Sequence, residues 1–204
     1  FEDDDVDGSW DILNIDEFSP APSESDGLLH LVAADDTVWY MADTAGLVFK
    51  TVPSTDFRVS AEIRVENMAG QPPEAAWRIG GLMIRDPVPL QGENYVLIGV
   101  GATQTQVELE TKRTEDDFSV PLGHAPFVEA VAHVRICRIG DDFHMALRTG
   151  EGWEAVHSYS LDLPDEVHVG LTAYDWNVTA DSRATFDSIV FAPVANMADC
   201  YEDD

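Results

Sequence analysis

Two phrases, Gly81-Leu82-Met83-Ile84-Arg85 and Asn94-Tyr95-Val96-Leu97, set a guanidinium and a phenol on neighbouring strands. With Leu82 and Ile84 turned to a core, alternation turns Met83 and Arg85 the other way. Tyr95 then lies beside Arg85. An aromatic face next to a guanidinium suits a pyranose, whose C–H face stacks on the ring while arginine donates to its hydroxyls. Trp77, Trp153, Tyr174 and Trp176 fall near predicted strand ends or loops and add stacking platforms. Arg85, Tyr95, Trp77 and Trp176 are therefore the candidate ligand contacts. The plainer role for each tryptophan is to close the ends of a hydrophobic core, which its large area serves equally well.

Bond-breaking chemistry finds little support. Glu62-Ile63-Arg64-Val65-Glu66 puts two carboxylates on one strand face with Arg64 between them. An arginine there holds both ionised, which removes the general acid that a carboxyl pair needs. The simpler reading is a wet face of charge pairs, each worth under ~1 kcal/mol. The six histidines show no H-x-x-x-H or H-E-x-x-H spacing, and no serine sits in G-x-S-x-G. No catalytic residue is assigned. Asn177-Val178-Thr179 meets the glycosylation sequon.

The charge balance is the next constraint. Asp and Glu number 39 against 11 Lys and Arg, a formal net charge of −28. Such a field repels phosphate backbones and anionic lipid, which argues against nucleic-acid and membrane partners. It attracts cations and keeps a protein soluble where salt screens surface repulsion. A marine or halophilic extracellular setting and an acidic, Ca²⁺-binding secreted protein are both consistent with it. No apolar run approaches the roughly 20 residues of a membrane span. No signal peptide is visible, and a start at Phe1 reads as a processed chain or a domain of a larger protein. Cys137 and Cys200 either form a bridge, in an oxidising compartment, or stand as two thiols.

The elements that must carry these residues are strands. From Phe57 to Glu66, Phe57, Val59, Ala61, Ile63 and Val65 share one face and polar residues the other, a period of two. Further strands are predicted over 28–32, 47–52, 78–85, 94–100, 104–112, 132–139, 142–148, 153–161, 167–174 and 183–191, punctuated by Gly140-Asp141, Gly150-Glu151-Gly152 and Leu163-Pro164-Asp165. The first 27 residues read as an edge strand plus a loop. Residues 1–193 form one all-β domain, a two-sheet antiparallel β-sandwich, and 194–204 an acidic tail or linker.

Several phrases stand in an informative order: Phe1-Glu2-Asp3-Asp4 with Gly8-Ser9-Trp10, Asp56-Phe57-Arg58-Val59, Gly81 to Arg85, Asn94-Tyr95-Val96, Val134-Arg135-Ile136-Cys137-Arg138, Val169-Gly170-Leu171 and Phe186-Asp187-Ser188-Ile189-Val190-Phe191. In this order the chain resembles the concanavalin A-like lectin/glucanase superfamily, in particular its laminin G-like and DUF1349-like branches. The resemblance implies a concanavalin A-like jelly roll with a concave sheet open to ligand. It also implies pairing of the first and last strands, which would bring Asp3 and Asp5 to Asp187 as oxygen ligands for a structural Ca²⁺. Family 16 glycoside hydrolases on this fold carry Glu-x-Asp on one strand; here Arg64 stands where that aspartate would be. The expected function is a secreted, non-catalytic, lectin-like module for an oligo- or polysaccharide, part of a larger secreted protein. A glycoside hydrolase or polysaccharide lyase, and a cell-surface adhesion or assembly subunit, are the alternatives.

Overall fold

The structure is a computed structural model and describes residues 9–41, 44–53, 55–88, 90, 92–104, 106–126, 130–177, 179 and 181–203. Its strands are β1 (Asp11–Leu13), β2 (Ser23–Ser25), β3 (Leu28–Val32), β4 (Gly46–Pro53), β5 (Phe57–Asn67), β6 (Arg78–Arg85) and β7 (Tyr95–Ala102), then β8 (Val107–Glu115), β9 (Phe118–Pro126), β10 (Val131–Ile139), β11 (Asp142–Thr149), β12 (Gly152–Ser160), β13 (Glu166–Asp175) and β14 (Ser182–Pro193). They form two seven-stranded sheets, ordered β1-β4-β13-β6-β7-β8-β9 and β12-β11-β10-β5-β14-β3-β2. Every strand pairing is antiparallel. The chain is an all-β jelly-roll sandwich.

Alternation builds the core between the sheets. Val59, Ile63 and Val65 of β5 meet Leu82 and Ile84 of β6, Val96 and Ile98 of β7, and Val169 and Leu171 of β13. Each such side chain, once fully buried, contributes about 1.5–3 kcal/mol. At one end the layers approach so closely that a Cβ on Gly80 would stand 2.7 Å from the Ala184 Cβ.

Two neighbouring strands of the first sheet differ from the sequence reading. β9 is absent from the strands predicted above; it forms at the edge of the first sheet despite Pro121 and Pro126, because an edge tolerates a missing N–H. β8 runs over Val107–Glu115 rather than 104–112. The expected pairing of first and last strands is not seen among the described residues, and the N-terminal segment carrying Asp3 and Asp5 lies outside them. β1 pairs with β4 in the first sheet, whereas β14 pairs with β3 and β5 in the second.

The C-terminal segment, expected as an acidic tail or linker, is docked on the sandwich. It forms a short 3₁₀ turn, Met197–Tyr201, capped by the Asn196 side chain, which accepts from Ala198 N at 2.9 Å. It lies on the outer face of the second sheet. There Arg135 Nη1 donates to the carbonyls of Cys200 (3.1 Å) and Glu202 (2.7 Å), and Arg58 donates to that of Asp199. Cys137 and Cys200 are disulfide-bonded, with Cα atoms 5.6 Å apart. The bridge resolves the two cysteine alternatives.

Candidate functional site

The outer face of the first sheet carries a second, smaller core rather than an open wall. Met83, Tyr95, Leu97, Leu47, Phe49, Ile79 and Tyr174 project away from the inner core and pack under Trp39. Trp39 is fixed from its polar edge: its Nε1 donates to Thr172 Oγ1 at 2.8 Å, and that hydroxyl donates to the Gly46 carbonyl at 2.6 Å.

This cover corrects the expectation for Arg85 and Tyr95. They do face each other across β6 and β7, and both do point away from the inner core. Neither meets solvent, since Arg85 is 2% and Tyr95 0% exposed. Arg85 instead clamps the buried Glu93, with Nη2 2.9 Å from both carboxylate oxygens. Tyr95 lies edge-on to Trp39, with ring centroids 5.6 Å apart, and burial raises its pKa. The segment around Val38-Trp39-Tyr40 is what covers them.

Trp77 and Trp176 fare differently. They stand 6.3 Å apart, centroid to centroid, at the rim of a cavity of about 220 Å³. Its lining is Val38, Tyr40, Trp77, Pro121, Tyr174 and Trp176, with Glu110 and Lys112 of β8. Backbone bonds place the two rings: Trp77 N donates to Thr103 O (2.9 Å), and Trp176 N donates to Trp77 O (3.1 Å). Behind them Asp175, fully buried, takes Arg78 Nε at 2.9 Å and Asn177 Nδ2 at 2.7 Å. Asn177 Nδ2 also donates to the Ala76 carbonyl at 2.7 Å. The sequon asparagine is thus a structural brace between the two tryptophan-bearing segments. Trp77 itself sits at φ 61, a left-handed conformation rare for a bulky residue. Such strain, of order 1–3 kcal/mol, persists where surrounding bonds over-determine it and concentrates at ligand sites.

The cavity floor is polar and internally paired. Lys112 Nζ is 3.2 Å from Glu110 Oε1, and the Tyr174 hydroxyl donates to Glu110 Oε2 at 3.1 Å. All three residues are at most 2% exposed. Burial alone would lower the lysine pKa, but the adjacent Glu110 charge and Tyr174 outweigh it, so the ammonium is held charged. Burial first, and Glu110 second, push the Tyr174 phenol up, so it stays a donor. Sequence reasoning named Tyr174 but missed Glu110 and Lys112. The available signal was Lys112 as one of only two lysines, two residues from Glu110 on an alternating strand.

Glu62, Arg64 and Glu66 lie on the outer face of the second sheet, across the sandwich from this cavity. They are paired as a wet face would be: His133 Nε2–Glu62 at 3.4 Å, Arg64–Glu66 at 3.7 Å and Arg183–Glu66 at 3.4 Å. Asp187 sits exposed in the β14 irregularity between Phe186 and Ile189 and shares a surface hollow with Glu62, Arg64, Glu66 and Arg183. Two guanidiniums in that hollow make it a poor cation site. Asp3 and Asp5 lie outside the described residues, among which no cluster of three or more His, Cys, Asp or Glu could hold a metal.

No protein-family model matches the sequence, and comparison with curated proteins finds no match. Solved structures do match. A functionally unknown protein from Saccharomyces cerevisiae superposes with a TM-score of 0.75 at 13% identity, covering 92% of this chain and 98% of that one. The GH43 protein BlXynB from Bacillus licheniformis gives a TM-score of 0.73 at 14% identity over 95% of this chain, but only 38% of its own. Lectin I from Ulex europaeus, in complex with the methyl glycoside of α-L-fucose, gives 0.58 at 13% identity, with 92% and 94% covered. These likenesses establish a sandwich shared with lectins and with part of a GH43 chain.

Proposed function

We propose that this chain is a non-catalytic, lectin-like carbohydrate-binding module whose contacts are Trp77, Trp176, Tyr40 and Tyr174 over a Glu110–Lys112 floor. The observation that carries the proposal is the aromatic-lined cavity with buried, ordered polar groups at its base, the general form of a small-ligand site. A lectin holding a fucoside and a GH43 protein on the same fold support the ligand class. Binding is favoured over hydrolysis because Glu110 is the one carboxylate lining the cavity among the described residues, and it is ion-paired. Paired-carboxyl hydrolysis needs two with separated pKa values. The disulfide supports an oxidising, extracellular setting. The chain spans 38% of the GH43 protein, consistent with a module of a larger protein. The order of landmark phrases keeps the laminin G-like and DUF1349-like branches as the finer placement.

Affinity electrophoresis and a glycan array, run with and without Ca²⁺, test this reading. At least one neutral glycan is expected to be retained, and Trp176→Ala to weaken it about tenfold, ~1.4 kcal/mol. Retention equal in Trp77→Ala, Trp176→Ala and the parent would move the site elsewhere. No retention of any glycan in either condition would remove the function.

A further inference from the structure

Resting on that reading, we infer that the cavity accepts one uncharged sugar ring at the end of a glycan, rather than a stretch within a chain or an acidic sugar. Size is the first ground. At about 220 Å³ the space falls below the roughly 300–1,000 Å³ of clefts that take drug-sized ligands. Shape is the second. Tyr40 and Trp176 are 40% and 50% exposed and form the rim, while Glu110, Lys112 and Tyr174 at 1–2% form the base. A hollow with a rim and a closed base receives an end; an internal sugar needs a trough with two exits.

Charge is the third ground. An acidic sugar needs an unspent cation, preferably a forked guanidinium. The only cation lining the cavity among the described residues is Lys112, and Glu110 already neutralises it. The −28 net charge adds long-range repulsion of any anion. What the base offers instead is hydroxyl chemistry. An ammonium has three donors; Glu110 and Tyr174, the latter at 3.4 Å, engage two of them. The third donor and the remaining carboxylate lone pairs match one acceptor and one donor of a sugar hydroxyl pair. The rings of Trp77 and Trp176 take the C–H surface.

Ligand-observed NMR and calorimetry on the full chain give the test. The probes are methyl glycosides of the common neutral pentoses, hexoses and 6-deoxyhexoses, their linear oligomers of two to six units, and glucuronic and galacturonic acids. The expected result is that at least one neutral methyl glycoside binds. Its oligomers should bind within about threefold of it, the uronic acids at least tenfold more weakly, and Trp77→Ala should abolish the signal. Affinity that climbs with oligomer length while every methyl glycoside stays unbound overturns the chain-end inference and leaves the carbohydrate function standing. Uronic acids binding as tightly as neutral sugars overturn the charge argument. Failure of every probe at every length overturns both inference and function.

Discussion

Both outer faces of this sandwich bury charge, yet they bury it in different ways. On the first sheet, Glu110 with Lys112 and Arg85 with Glu93 pair side chain to side chain. On the second, Arg58 and Arg135 donate to backbone carbonyls of residues 199–203. Arg135 also stacks on Trp153, its guanidinium carbon 3.9 Å from the ring centroid. The Glu110–Lys112 pair leaves a fixed polar base with space above it. Carbonyl capture draws a segment of chain down onto the sheet and fills the space. The same residue types therefore make a cavity on one side and a fastening on the other, according to what they are paired with.

The largest test of that contrast removes one member from each face. Lys112→Met strands a buried Glu110 carboxylate and should cost about 3–5 kcal/mol in urea unfolding. Arg135→Met strands the Cys200 and Glu202 carbonyls and the Ser60 hydroxyl, neutral groups that water can reach once the segment lifts, and should cost about 1–3 kcal/mol. Equal losses would erase the distinction. Next, replacing both Cys137 and Cys200 by Ser opens a loop of sequence separation 63. It should lower stability by about 2–4 kcal/mol while leaving any glycan affinity within twofold. A parallel loss of binding would tie the two faces together. The smallest effect concerns pH. Burial first, and then the Arg85 charge, depress the His168 pKa from 6.5 to about 4. The unfolded chain takes up this proton below about pH 6.5 and the folded one only near pH 4. Stability from neutral His168 is therefore complete above pH 6.5 and lost as pH falls through that window. The difference between parent and His168→Phe, which keeps the stack on Phe49, should change by about 1–2 kcal/mol between pH 7 and 4. A flat difference would remove the half-buried imidazole from the account.

Strand content was the most legible property, since alternation at Phe57–Val65 and Gly81–Arg85 states both period and inward face. It could not state what lies over the outward face. Arg85 and Tyr95 were assigned to one side correctly and to solvent wrongly. The cover, Trp39, comes from a connection about fifty residues away, and its docking depends on Thr172, far along the chain. Trp77 and Trp176 were named as stacking platforms and stand together, because both flank strands that pair: Arg78 of β6 is registered with Asp175 of β13. Glu110 and Lys112 escaped notice since a charged pair two apart on a strand ordinarily signals a wet face. Only the overlying rings turn it into a base. The cysteine link was undecidable from spacing alone, being a matter of distance.

The proline-bearing border of the first sheet has a consequence for crowded solutions. An unpaired strand normally offers amides to which a second molecule can zip, and this one lacks the donor at Pro121 and Pro126. Concentrated brine suppresses mutual repulsion between copies bearing so many carboxylates, removing that barrier to coalescence. The missing donors do not depend on ionic strength, so resistance to ribbon-like stacking along this border persists when the electrostatic one is gone.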